Sequence, residues 1–122
     1  MDDEANGTGE KTWSDGSVYI GAFKRDKFNG EGLFSWADGS KYQGDFLNDE
    51  SHGQGVYSFP DGQKYVGQFK NGKFNGLGVE TWPDGRKYTG QFFDYAHHGQ
   101  GVYLWPNGTK YDGEFLNDKA NG

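Results

Sequence analysis

Tyr-x-Gly-x-Phe occurs five times in this chain at a fixed interval of 23 residues, beginning at Tyr19, Tyr42, Tyr65, Tyr88 and Tyr111. Four copies are followed by a Gly-x-Gly pair and an aromatic-x-(Asp/Asn)-Gly turn, and the fifth runs to the end of the sequence. A constant period of this length makes the chain a repeat array, in which each unit buries its apolar face against its neighbours. Such arrays generally bind other molecules rather than transform them.

The apolar mass has an unusual form. Hydrophobic residues make up only 32% of the chain, yet 18% of it is aromatic and 22 residues are glycine. The core is therefore expected to be thin, repetitive and built from flat rings. The formal charge is −6, but Asp2, Asp3, Glu4 and Glu10 lie in the first ten residues; without them 14 acids face 12 bases, a balance of −2. A generally basic surface for nucleic acid is absent. With no cysteine there is no disulfide framework and no thiolate metal site. No apolar run reaches membrane-spanning length, and there is no signal-peptide core. The expected setting is cytoplasmic, at the periphery of a membrane or the cytoskeleton.

Each unit reads as a β-hairpin. Alternating segments flank Ala37-Asp38-Gly39, and the equivalent turns are Pro60-Asp61-Gly62, Pro83-Asp84-Gly85 and Pro106-Asn107-Gly108. Proline suits the first central position of a type I turn, and the glycine accepts the left-handed conformation that follows. A three-residue loop sets the register: Trp36 meets Ser40, Phe34 meets Tyr42 and Gly32 meets Gly44. One face then carries Phe34, Trp36, Tyr42, Phe46 and the glycines; the other carries Leu33, Ser35, Lys41, Gln43 and Asp45. Lys11 and Glu80 fall where other units have a ring, and Glu80 reads as a rim or partner-contact residue. A lone hairpin is marginal, but stacked hairpins pair each other's edges. The fold class is all-β: an elongated, twisted, single-layer antiparallel sheet of stacked hairpins forming a groove.

Nothing in a single layer covers the ringed face, and contiguous exposed rings mark partner sites. In the reading adopted, Phe46, Phe69 and Phe92 pack over glycines. A partner-binding groove is then lined by Phe34, Trp36 and Tyr42, by Tyr57, Phe59 and Tyr65, by Trp82 and Tyr88, and by Tyr103, Trp105 and Tyr111. The expected partner is a protein helix or extended peptide with some basic character. A second period of 46 residues repeats Lys27-Phe28-Asn29-Gly30 as Lys73-Phe74-Asn75-Gly76, and aligns His52 with His98. Connecting loops along one edge would then present Phe, His, Phe, His in order. Lys27, Phe28, Lys73 and Phe74 on that edge form a candidate contact for anionic lipid. The contact would be weak, since headgroup recognition takes clusters of four to eight bases. Self-association into a homodimer through an open edge is a third expectation.

Chemistry has little foothold. His52 and His98 are equivalent residues on separate loops, and His97-His98 lacks a third ligand, so no metal is assigned. Asp38, Asp61 and Asp84 are turn residues. The Gly-x-Gly pairs are strand elements rather than a phosphate loop. No cofactor and no catalytic residue is assigned.

The run Tyr65-Val66-Gly67-Gln68-Phe69-Lys70-Asn71-Gly72-Lys73-Phe74-Asn75-Gly76-Leu77-Gly78 resembles the repeat of the MORN (membrane occupation and recognition nexus) family. The resemblance covers residues 7–122: a partial repeat over 7–18, full repeats from 19, 42, 65 and 88, and a partial repeat over 111–122. Residues 1–6 form an acidic leader expected to be disordered. The resemblance implies a twisted sheet of stacked hairpins with a groove, protein-binding scaffold activity, and for some members association with membranes or phosphoinositides. Two features depart from the pattern. Ile20, Gln43, Val66 and Thr89 replace an acidic residue common beside the first tyrosine, and Asp26, Asp49 and Tyr95 stand where Gly72 carries the family glycine.

Overall fold

The structure, a computed structural model, describes residues 7–116 and 119–121. The acidic leader at 1–6 lies outside them. Eleven strands follow one another in space in the order they occur in the chain, forming one open antiparallel sheet. They are β1 (Gly7–Thr12), β2 (Val18–Lys24), β3 (Lys27–Ser35), β4 (Lys41–Leu47), β5 (Glu50–Ser58), β6 (Lys64–Lys70), β7 (Lys73–Thr81), β8 (Lys87–Phe93), β9 (Ala96–Leu104), β10 (Lys110–Leu116) and β11 (Lys119–Asn121). There is no helix among the described residues.

Two turn types alternate along the sheet. The Asp/Asn-Gly turns are three-residue loops: Trp36 N–H donates to Ser40 O at 2.9 Å, and Gly39, at φ 99°, donates to Trp36 O at 3.0 Å. This fixes the expected register, with Phe34 opposite Tyr42 and Gly32 opposite Gly44. The other connections among the described residues are two-residue turns with positive φ at both positions: Arg25-Asp26, Asn48-Asp49, Asn71-Gly72 and Asp94-Tyr95. Positive φ at both central residues matches the twist of the flanking strands. These turns also bond to one another across repeats. Asp49 N–H donates to Phe28 O, Gly72 N–H to Ser51 O and Tyr95 N–H to Phe74 O, at 3.0 to 3.1 Å.

The packing around the glycines differs from expectation. The rings lying on the glycines are the repeat tyrosines, whereas the phenylalanines pack edge-on against them. A Cβ on Gly55 would come within 2.5 Å of the Tyr42 ring, so only glycine leaves room for it. Phe46 meets Tyr42 of its own repeat at 5.0 Å and Tyr19 of the preceding repeat at 5.2 Å, both edge-on. The same contacts join Phe69 to Tyr65 and Tyr42, and Phe92 to Tyr88 and Tyr65. Each such pair contributes about 0.5–1.5 kcal/mol beyond the area it buries.

The tyrosine hydroxyls explain why the ring is not phenylalanine. Register shifts between β4 and β5 leave Asp45 without a partner residue in β5. The Tyr42 hydroxyl donates to the Asp45 carbonyl at 2.7 Å. Tyr19, Tyr65 and Tyr88 do the same at 2.7 Å for Ala22, Gln68 and Gln91. An irregularity in the ladder is thus closed from within the core.

Candidate functional site

Three positions in each repeat build the ringed face. The first follows the two-residue turn and holds Phe28, Ser51, Phe74 and His97, placed opposite Phe23, Phe46, Phe69 and Phe92. Its ring stacks flat on the repeat tyrosine: Phe28 on Tyr19 at 3.8 Å and 7°, Phe74 on Tyr65 at 4.0 Å and 4°, His97 on Tyr88 at 3.9 Å and 12°. The second position is the last turn residue, whose N–H docks on the stacking residue one repeat earlier. It is Asp49 over Phe28, Gly72 over Ser51 and Tyr95 over Phe74. The third lies opposite the repeat tyrosine and holds Phe34, Tyr57, Glu80 and Tyr103.

Half-buried rings of the third position and the adjoining turns run in a row with one break. Trp13 meets Phe34 at 5.1 Å, Phe34 meets Trp36 at 4.5 Å, Trp36 meets Tyr57 at 5.4 Å and Tyr57 meets Phe59 at 4.8 Å. The row resumes with Trp82 to Tyr103 at 5.6 Å and Tyr103 to Trp105 at 4.5 Å. Trp36 and Trp105 are its most open rings, each 36% exposed. Arg86 lies over the Trp82 ring at 5.0 Å and donates to the Tyr103 hydroxyl at 3.2 Å.

The break in the row is Glu80. Its carboxylate is buried, with Oε1 2.8 Å from His97 Nε2 and Oε2 accepting from the Gln63 amide. Glu80 is therefore not a rim residue; an acid replaces one ring and a histidine replaces the ring it would have touched. The sequence offered a signal for this, since His97 aligns with Phe28 and Phe74 at the 23-residue period. The 46-residue alignment of His52 with His98 sits one residue out of that frame. The order along the position is consequently Phe, Ser, Phe, His. Burial pushes the nearby Tyr65 phenol above its ordinary range, and the Glu80 carboxylate adds to the effect.

A second irregularity is a gap. Ser51 leaves Tyr42 without a stacked ring, and Gly72, the turn residue above it, adds no side chain. A cavity of about 420 Å³ opens there, floored by Tyr42, Phe46 and Ser51, walled by Tyr57 and Tyr95, with Asp49 and Glu50 at its lip.

The structure thus corrects several expected site residues. Tyr42, Tyr65 and Tyr88 are at most 1% exposed and belong to the core, because each must reach inward to its bulge carbonyl. Phe34, Tyr57, Phe59, Trp82, Tyr103 and Tyr111 are half-buried and, with Trp36 and Trp105, remain on the open face. At the candidate lipid edge, Phe28 and Phe74 are buried in their tyrosine stacks. Lys73 is exposed and paired with Asp94 at 2.9 Å, while Lys27 is exposed near Lys24 and Arg25.

The profile of the MORN repeat matches residues 1–18, 19–41, 42–64, 65–85, 88–110 and 111–122. The chain belongs to the MORN repeat family. Comparison with curated proteins found no match to the chain. MORN repeats are generally protein- or membrane-interaction repeats, and the family is a repeat scaffold not known as enzymatic. Within the matched repeats Gly32, Gly55, Gly78 and Gly101 lie against the rings of Tyr19, Tyr42, Tyr65 and Tyr88.

Proposed function

We propose that this MORN array is a non-enzymatic scaffold that holds a helix or extended segment of a partner protein along its half-buried aromatic row. The observation that carries this reading is the row itself: rings in mutual contact from Trp13 to Phe59 and from Trp82 to Trp105, on a face that no second layer covers. Tryptophan and tyrosine suit such a role because they offer large rigid area with a polar tip. The net charge of −6 favours a partner segment with basic character. The test is a random peptide library selected on the wild-type chain. The selected peptides should bind the Trp36→Ala/Trp105→Ala protein about tenfold more weakly or worse, with its β circular-dichroism signal unchanged. Equal binding would refute the reading.

A weak anionic-lipid contact at the β2–β3 turn is a second reading. It is supported by Lys24, Arg25 and Lys27, which surround a depression of about 350 Å³. Lys27→Glu should then reduce binding to phosphoinositide-containing vesicles at physiological salt. Unchanged binding, or none by the wild type, would remove this reading.

A further inference from the structure

The gap above Tyr42 has a defined shape, because three other repeats show what fills it. Phe28, Phe74 and His97 each lay a flat ring 3.8 to 4.0 Å above their tyrosine. At Ser51 the tyrosine face, the Phe46 edge and the neighbouring Tyr57 are all present, and only the ring is missing. Gly72 adds no side chain at the mouth, where a Cβ would meet nothing nearer than Glu50 Oε2 at 3.7 Å, and the Tyr95 hydroxyl donates to the Gly72 carbonyl at 2.8 Å. In the next such turn that space is used, with the Tyr95 ring 5.0 Å from Phe74. The volume of about 420 Å³ is ample for a phenyl or indole group, given that an apolar cavity of about 150 Å³ takes up benzene. Asp49 and Glu50 stand at the lip, and no basic residue lines the cavity.

We propose that the Tyr42–Ser51–Gly72 cavity is an anchor pocket for one aromatic side chain of a partner segment, with lysine or arginine beside that side chain in the partner. The inserted ring completes the tyrosine stack that Ser51 leaves unfinished. The flanking cation meets Asp49 and Glu50, which selects against an aromatic residue in an acidic context. This rests on the scaffold reading and narrows it: the aromatic row guides the segment, and the pocket fixes its register.

The test is a titration of the 15N-labelled chain with a pentapeptide carrying phenylalanine between two lysines. Two control peptides replace the phenylalanine by alanine or the lysines by glutamates. The expected result is saturable shifts at the amides of Ser51, Tyr57 and Gly72, lost with either control. Ser51→Phe, which copies the Phe74 stack from within, should weaken binding about tenfold or more; Ser51→Leu serves if that variant does not fold. Shifts elsewhere that Ser51→Phe leaves intact would overturn the pocket and spare the scaffold reading. Binding by the alanine peptide, or no binding to the wild type, would also overturn the pocket; the tryptophan pair tests the scaffold reading separately. A wild-type dimer that Ser51→Phe dissociates, without peptide binding, would make the occupant a second copy and overturn the basic segment.

Discussion

Glu80 Oε1 lies 2.8 Å from Nε2 of His97, and the two residues stand where neighbouring repeats have rings. They are 17 positions apart in the chain and belong to different strands, β7 and β9. Neither fits the repeat alone; together they satisfy each other in the core.

Removing one partner should therefore cost far more than removing both. His97→Phe alone leaves the Glu80 carboxylate buried against the Gln63 amide, an expected loss of about 3–5 kcal/mol. Glu80→Tyr with His97→Phe restores the pattern of the other repeats and should be neutral or stabilising by about 1–4 kcal/mol. Urea unfolding of the two singles and the double gives the coupling directly. Additive singles would show that the pair is not a unit.

Filling the gap should stabilise the chain. Ser51→Phe adds one stacked aromatic pair of the kind formed by Phe74 and Tyr65. The expected gain is about 1 kcal/mol, a rise of several °C in Tm. Calorimetry checks it, and a fall in Tm would mean that the space above Tyr42 does not accept a ring.

The core tyrosines make the fold sensitive to alkali. Burial pushes the Tyr42 and Tyr65 phenols above the ordinary value of 10.0, with the carboxylates of Asp45 and Glu80 respectively adding to the rise. The folded chain holds these protons more tightly than the unfolded chain. Their contribution is complete below pH 10 and is lost as pH climbs through the raised folded values. Phenolate absorbance from Tyr42 and Tyr65 should thus appear together with unfolding. Full phenolate absorbance with the β signal intact would contradict this.

The hydroxyl and the ring can be separated by mutation. Tyr65→Phe keeps the stack on Phe74 but strips the Gln68 carbonyl of its donor, an expected cost of about 1–3 kcal/mol. Tyr65→Ala removes the ring as well and should cost about 3–5 kcal/mol, enough to melt the neighbouring hairpins. Equal effects would assign the tyrosine's role to its hydroxyl alone.

Much of this architecture is legible in the residues. Asp38-Gly39 and its equivalents dictate the three-residue turns, and the turns dictate a register that gathers the rings on one face. Alternation names the face, however, and not the depth of each ring on it. Tyr42 and Tyr57 pair across the β4–β5 ladder on the same face, yet one is core and the other half-open. What separates them is the register shift at Asp45, which pulls the Tyr42 hydroxyl inward and which no hydrophobic pattern encodes. Glu80 and His97 each stand out as exceptions, but only their proximity across β8 reveals that one exception answers the other.

The two margins of the sheet are tied differently. Along the margin of two-residue turns, backbone bonds from Asp49, Gly72 and Tyr95 lash each repeat to the one before. Along the other, Ala37 N–H reaches Ser17 Oγ at 3.1 Å, but the equivalent residues are Pro60, Pro83 and Pro106, which have no N–H to give. The array is built like a folding fan, riveted on one side. At the proline margin the ribs meet by packing instead, with Pro60 set beside Gly39, Pro83 beside Gly62 and Pro106 beside Gly85.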